Sequence, residues 1–424
     1  MGDRSFPRPF SFLFCTFAEI QSSESMAALS PETMEFIRAH RKDDVRTLAL
    51  RAQGFPQVDM AEAVVQIAGR QMAEKKIPSW AELDGIRYPR HLSMEQCSSE
   101  LTARYKASLV SGDTFADLTA GFGVDCSFIA RKFRQADYVE RQEELCRLAA
   151  HNFALLGQPH IRIHPTDGVA YLKEMAPVDC LLLDPARRDS HGGKTVRIAD
   201  CEPDVGALEP MLIEKGKTVM IKLSPMLDLS SAFRELHFIH SVHIVAVHNE
   251  CKELIILLKK PEGASQSSLD NVVITCQQLV DNVASPPFSF TLEEEKTALC
   301  PYAEQVGTYL YEPGAALLKA GPYKLLAQRY GLRKLHANSQ LYTSDKPVDF
   351  PGRRFRVLGV SGFGKKELKS LLDGMTKANL TVRNFPATVA DLRKKLKLKE
   401  GGDRYLFATT LLGEEKVLVK AEKC

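Results

Sequence analysis

The nine residues Asp117-Leu-Thr-Ala-Gly-Phe-Gly-Val-Asp125 constrain this chain more than any other segment. Phe115, Leu118 and the small residues that follow suit a buried parallel strand, and helical spacing resumes at Cys126, Phe128, Ile129 and Phe133. Between the two stretches, Gly121 and Gly123 admit positive φ and let a ligand approach the backbone closely. A strand that ends in a glycine turn and opens a helix calls for an α/β sheet, and such a turn is suited to a nucleotide-like cofactor.

The spacing discriminates between cofactors. A dinucleotide turn needs Gly-x-Gly-x-x-Gly, so that the helix packs closely and its N-terminus faces a pyrophosphate. Here the third position is Cys126. Asp117, at the strand end, would repel a phosphate and attract an ammonium group, which favours S-adenosylmethionine, a cofactor with an amino acid and a sulfonium but no phosphate. Asp117, Thr119, Ala120, Gly121, Gly123 and Asp125 are the expected contacts from this turn.

Further strand ends supply acids in order. Residues 136–140 end in Glu140, a carboxylate suited to ribose hydroxyls. Residues 160–164 alternate as a third strand and lead to Asp167, placed to accept from an adenine amine. The apolar run from Val178 ends in Asp184-Pro185. A fifth strand over 218–225 puts Lys222 and Ser224 near its end, and strands over 241–247 and 254–258 are joined by residues 248–253. There Asn249 and Glu250 either face a substrate or form an ordinary polar turn.

Over roughly residues 93–260 these features together resemble the class I S-adenosylmethionine-dependent methyltransferase family. The resemblance implies a Rossmann-like sheet in which Asp117 to Asp125 is the first motif, Glu140 the ribose-binding acid, Asp167 the adenine-contacting acid, and Asp184-Pro185 the fourth motif beside the reacting methyl group. It also implies a closing hairpin whose turn lies on the ligand edge.

The fourth motif narrows the chemistry. Enzymes that methylate flipped base amines usually carry two prolines and a stacking aromatic there, whereas this chain has Asp184-Pro-Ala-Arg-Arg188. Arg187 and Arg188 form either a clamp for an anionic substrate group or intradomain ion pairs. Methyl transfer requires in-line orientation first and a proton acceptor only for a protonated nucleophile. Asp184 is therefore the expected orienting residue, with Arg187 beside it and Glu250 as the candidate base. Cys126 and Cys180 read as small core residues, and Cys251 is not expected to be a nucleophile. His191-Gly-Gly-Lys-Thr195 lacks the earlier glycine of a phosphate loop, whose position Arg188 holds, and reads as a substrate loop. His237, His240, His243 and His248 lack metal-motif spacing, so no metal is expected.

Ten scattered cysteines with no Cys-x-x-Cys pair fit reduced thiols in a cytoplasmic protein, and no run is long enough for a membrane span. Residues 1–25 read as an N-terminal extension preceding Met26 and the helix start Ser30-Pro31-Glu32. Residues 26–92 read as a helical region with Ala61, Val64, Val65, Ala68 and Met72 on one apolar face, ended by Ile77-Pro78. Ser98 or Ser99 caps a further helix. Residues 261–268 read as a linker.

From Pro351 onward 17 Lys and Arg face 8 Asp and Glu, giving +9 and leaving −6 for residues 1–350, an asymmetry that points to an anionic partner. Strands at 355–360 and 380–385, helices at 365–377 and 388–396, and a hairpin of 405–411 with 416–420 are expected. Asn384-Phe-Pro386, Leu392-Arg-Lys-Lys395 and Gly401-Gly-Asp-Arg-Tyr405 resemble the THUMP-like domain at the C-terminus of a group of bacterial methyltransferases. The resemblance implies α+β domains, a ferredoxin-like segment over 265–345 and a basic THUMP-like domain over 346–424. It also implies an RNA partner, tRNA or rRNA; Arg393, Lys394, Lys395, Lys397 and Lys399 either contact its phosphates or form an ordinary solvated helix face. The expected function is S-adenosylmethionine-dependent methylation of structured RNA. A protein or small-molecule acceptor, or an inactive RNA-binding protein that keeps the cofactor fold, stands as the alternative, and the oligomeric state is open.

Overall fold

The computed structural model describes residues 29–187, 197–261, 269–280 and 283–424; the N-terminal extension over 1–25, Arg188, the 191–195 segment and most of the expected linker lie outside the described residues. The chain divides into two compact units, one reaching to Lys222 together with Leu257–Lys260, the other formed by Leu223–Ile256 and the remainder.

In the first unit five strands lie parallel: β1 (Thr114–Asp117), β2 (Gln135–Glu140), β3 (Ile161–Pro165), β4 (Val178–Leu183) and, after the short antiparallel pair β5 (Ala186–Arg187) and β6 (Cys201–Glu202), β7 (Gly216–Leu223). Their order is β7-β4-β1-β2-β3. Phe115, Leu181, Val219 and Ile221 are completely buried, as parallel strands covered on both faces require. The chain runs from β1 outward through β2 and β3, then returns to place β4 on the other side of β1. That reversal opens a crevice beyond the ends of β1 and β4, where open α/β sheets bind ligands.

The opposite edge of this sheet is tied by Asp179 near the start of β4. Its Oδ2 accepts from the amides of Asp113 (2.8 Å) and Thr114 (3.0 Å), and its Oδ1 from Lys217 Nζ (2.6 Å). Pairing with Lys217, followed by those amide bonds, holds the carboxyl down to about 2. A depressed carboxyl stabilises the fold above its unfolded value near 4 and loses that contribution as pH falls from about 4 to about 2. Asp179→Asn is expected to cost about 1 kcal/mol at pH 7 and to flatten this limb in urea midpoints measured against pH. A limb as steep as in the parent would refute the assignment.

Ahead of the sheet, Ser30 caps the helix Pro31–His40 by accepting from Thr33 N, with Pro31 in its first turn. The helix Met60–Lys76 corrects the expected face: Ala63, Gln66, Ile67 and Ala73 are buried, whereas Ala61 is exposed and Val64, Val65, Ala68 and Met72 are half-buried. Gln66 turns inward because its carboxamide completes the backbone of Tyr88, Nε2 donating to the carbonyl and Oε1 accepting from the amide, both at 2.9 Å. Just beyond, Trp80 packs edge-on against Phe122 of the glycine turn with ring centroids 5.2 Å apart.

The second unit contains a hairpin of β8 (Ile239–Val247) and β9 (Glu250–Leu258). The expected six-residue connection is only two residues long. His248 and Asn249 have φ of 49° and 62°, the two positive values of a type I′ turn, so Glu250 already belongs to the strand. β10 (Val273–Val280) then pairs parallel with β8 through seven positions, from Val273 opposite Ser241 to Leu279 opposite Val247. β11 (Val283–Ala284) and β12 (Phe288–Thr291) pair antiparallel with β10.

A separate seven-stranded sheet follows, made of β13 (Tyr309–Pro313), β14 (Arg333–His336), β15 (Ser339–Ser344), β16 (Gly352–Ser361), β17 (Asn379–Arg383), β18 (Arg404–Thr410) and β19 (Lys416–Lys423) in the order β14-β15-β13-β16-β19-β18-β17. Of the segment expected to be ferredoxin-like over 265–345, β10 pairs with β8, β11 and β12 pair with β10, and the second sheet begins at β13. Helices Lys365–Leu371 and Val389–Leu396 cover one face of this sheet, Leu392 of the second helix packing with Leu406, Ala408 and Leu418 of the strands. Leu310, Phe355, Phe407 and Val419 form the core on the other face.

Candidate cofactor and acceptor site

Four acids stand at the C-terminal edge of the parallel strands. Asp117 ends β1, Glu140 ends β2, Asp167 follows β3 and Asp184 follows β4. Gly121 and Gly123 take φ of 54° and 85°, and Gly123 opens the helix Val124–Ala130, where a Cβ would come within 2.9 Å of the Phe153 ring. The turn is anchored at both ends. Ala120 N donates to Val139 O at 3.1 Å, and the Tyr138 hydroxyl donates to Gly121 O.

Each acid has a distinct role within this frame. Asp117 is 2% exposed and, among the described residues, accepts one bond, from Thr119 N at 3.1 Å. Burial pushes its carboxyl well up, and neighbouring Asp125 and Asp184 push in the same direction. A buried carboxylate so placed, beside a turn whose glycines admit a ligand, fits the ammonium of an amino acid. Glu140 accepts from Gly121 N (3.0 Å) and Gln142 N (2.8 Å), one bond on each oxygen, which leaves a lone pair on each for a diol. Asp167 caps the helix Gly168–Glu174, its Oδ1 accepting from Val169 N and Ala170 N at 3.0 Å each. Asp184 is linked to the glycine turn through its own amide, which donates to Thr119 Oγ1 at 2.6 Å.

Asp125 heads a buried row of alternating charge. Its Oδ2 accepts from Ser98 Oγ at 2.7 Å and lies 3.7 Å from Lys222 Nζ, while its Oδ1 lies 3.1 Å from Lys106 Nζ. Lys222 in turn pairs with Asp184 Oδ2, and Lys106, completely buried, donates to Ser98 Oγ at 3.0 Å. Burial alone would raise Asp125, but Lys106 and Lys222 outweigh it and hold the carboxyl low. Asp125, expected among the cofactor contacts, is thus taken up by Ser98 and two lysines. Ser99 rather than Ser98 caps the helix Glu100–Ser108. Sequence reasoning passed over Lys106, although it shares a helical stripe with the buried Thr102, Ala103 and Ala107.

Other candidates fall elsewhere. Arg187 lies in β5, and its side chain is outside the described residues. Glu250 is exposed and pairs with Lys252 at 2.7 Å, and Asn249 Oδ1 accepts from Ala315 N at 2.9 Å. Cys126 and Cys180 are buried, and burial pushes the half-buried Cys251 thiol up to about 11, away from thiolate chemistry. A cleft of about 490 Å³ lined by Ser111, Lys132, Asp179, Thr218 and Lys259 lies by the starts of β4 and β7, at the edge opposite the acids. Among the described residues no group of three or more His, Cys, Asp and Glu is placed to hold a metal ion, and no helix is long and apolar enough to cross a membrane.

Family models match a ferredoxin-like domain at residues 309–351 and a THUMP domain-like region at 352–423. The crystal structure of a "putative methyltransferase" from Porphyromonas gingivalis W83 aligns with a TM-score of 0.82 at 34% identity, over 92% of this chain and 97% of that one. TrmN from Thermus thermophilus (TM-score 0.33, 15% identity, 40% of this chain and 51% of that one) and a rRNA methylase from Streptococcus thermophilus (0.28, 12%, 38% and 95%) resemble it far less, too little to bear on activity. No curated protein matches the chain.

Proposed function

Because the chain belongs to the methyltransferase family of the Porphyromonas gingivalis protein, with ferredoxin-like and THUMP-like domains at its C-terminus, we propose that it is an S-adenosylmethionine-dependent methyltransferase acting on structured RNA. The observation that carries the cofactor is the set of four acids at successive strand ends, with Asp117 buried where an ammonium would neutralise it. Asp117 holds that ammonium, Glu140 takes the ribose hydroxyls, Asp167 takes the adenine amine, and the backbone of Gly121 and Gly123 lines the approach. The cofactor, when bound, supplies an electrophilic methyl group. Asp184 accepts a hydrogen bond from the acceptor group and so aligns its lone pair for in-line displacement. Calorimetric titration with S-adenosylmethionine tests the cofactor; binding of NAD in its place would sink the reading. Tritium transfer from labelled cofactor into fractionated RNA, protein and metabolites tests the acceptor, and label in protein or metabolites alone would exclude RNA.

The basic domain supports RNA through its lysines. Its arginines are engaged internally: Arg353 and Arg383 on Glu312, Arg356 and Arg404 on Glu422, Arg354 on Val348 O and Arg393 on Ala378 O. Lys365, Lys366, Lys369, Lys377, Lys394, Lys397 and Lys399 are exposed on or beside the two helices of one layer, and among the described residues none of them lies within ion-pair distance of an acid. Replacing Lys394, Lys395, Lys397 and Lys399 together by glutamine is expected to weaken RNA binding and to flatten the slope of log affinity against log salt by up to about 3. An unchanged slope would remove these lysines from the interface.

A further inference from the structure

We propose that Lys222 is a positioning residue for methyl transfer, acting through Asp184: its ammonium, braced from behind by Asp125, fixes both the direction and the charge of the Asp184 carboxylate. The proposal rests on the reading of this sheet edge as the methyl-transfer site and adds to it a residue that the strand-end acids alone do not account for.

The geometry follows from the sheet. β4 and β7 run side by side with Leu183 opposite Ile221, so the next residues along, Asp184 and Lys222, emerge together at the C-terminal edge. The Lys222 side chain is 11% exposed and the Asp184 side chain 40% exposed. The ammonium is therefore withheld from solvent while the carboxylate it holds remains accessible. Lys222 takes Asp184 Oδ2, leaving Oδ1 for an incoming group. The lysine cannot swing freely, because Asp125 lies 3.7 Å from its Nζ and is itself clamped by Lys106 and Ser98.

Charge accounting shows why the lysine is needed. The described groups acting on Asp184 are Lys222 on β7, Asp125 on the helix Val124–Ala130, Lys106 on the helix Glu100–Ser108 and, beside them, Asp117 at the end of β1. Without Lys222 three carboxylates would share one lysine, and Lys106 is already spent on Asp125. Asp184, whose carboxyl burial and Asp125 already push up, would lose its direct counter-ion and take up a proton at higher pH. A protonated carboxyl can turn its own hydrogen toward the acceptor, so the lone pair would no longer be aligned. With Lys222 in place the carboxylate orients the acceptor as a hydrogen-bond acceptor, and the proton that the acceptor sheds on methylation passes to water.

The test uses the full chain with aspartate labelled at the side-chain carboxyl carbon, the Asp184 resonance being the one lost in Asp184→Asn. In Lys222→Gln or Lys222→Met the Asp184 titration midpoint is expected to rise by about one pH unit or more, and in Lys222→Arg to stay near the parent value. The acid limb of the transfer rate should shift upward with it in the neutral variants and return with arginine, with cofactor affinity at high pH little changed. An Asp184 midpoint unmoved in a folded neutral variant, or one displaced equally by arginine, overturns the proposal. Should neither neutral variant fold, the reciprocal measurement decides: Asp184→Asn must lower the Lys222 titration, and an unmoved lysine overturns the proposal. These titrations need no cofactor, so a chain that failed to bind S-adenosylmethionine would defeat the proposed function and leave the carboxylate result to be read on its own.

Discussion

Lys106→Met is expected to destabilise the first unit by about 3 kcal/mol, the size associated with stripping one partner from a buried ion pair. The methyl thioether fills much of the space of the lysine stem, so lost packing is a minor part of the effect. What remains is Asp125, whose Oδ1 has lost its lysine while its Oδ2 keeps Ser98 at 2.7 Å and the more distant Lys222 at 3.7 Å. Its carboxyl, now held low by both lysines, rises in the variant. A carboxyl depressed in the folded state contributes stability above its unfolded value and loses it as pH falls, so the variant, whose folded value is raised, should lose less on acidification than the parent, and its deficit should be smaller at pH 5 than at pH 8. Lys106→Met combined with Asp125→Leu should recover more than 1 kcal/mol relative to additive losses. Urea midpoints of the two single variants and the double variant, taken at pH 5 and pH 8, decide the matter. Strict additivity would mean that the two side chains do not depend on each other.

Gly168→Ala should be nearly as damaging and should also weaken cofactor binding. A Cβ at this position would lie 2.1 Å from the Leu118 carbonyl oxygen and 3.1 Å from its carbon, both backbone atoms that cannot rotate away. Leu118 is itself tied to β4 by its amide, 3.0 Å from Leu182 O. Either the helix Gly168–Glu174 withdraws, carrying its cap Asp167 with it, or the end of β1 is pushed aside with Thr119. Overpacking of this kind costs about 2–3 kcal/mol, or roughly 5–10 °C in unfolding midpoint for a unit of this size. Gly54→Ala is the matched control, since a Cβ there meets nothing within 4 Å and should change stability by less than about 0.5 kcal/mol. Differential scanning calorimetry with and without S-adenosylmethionine reads both effects. A Gly168→Ala midpoint equal to that of the control would show that the contact is relieved without consequence.

The parts of the molecule that could be read from the chain are those in which one residue's environment is set locally. Parallel strands buried on both faces appear as apolar runs, and an acid closing such a run stands out, which is why Asp117, Glu140 and Asp184 were legible. The effect of a glycine before a proline is equally local: Gly321-Pro322 separates the helices Ala315–Ala320 and Tyr323–Tyr330, and Gly321 takes φ of 83°. Gln66 and Lys106 were not legible, because a polar residue turns inward only when a partner far along the chain is waiting, here Tyr88 and Asp125. Nor could local periodicity reveal that β10 would join β8, since alternation makes a strand without naming its neighbour.

That last pairing limits where this protein can be divided. A chain cut after residue 260 would keep the glycine turn and its acids but would strip β10 from β8, leaving seven positions of ladder along 241–247 with bare donors and acceptors. Such an edge invites any other extended chain to pair with it. The part that carries the site is therefore not a cassette that ends where its characteristic motifs end: a gene fusion or an expression fragment that omits residues 273–291 inherits an adhesive flank, and what covers that flank is a stretch of strands bearing none of the site's own residues.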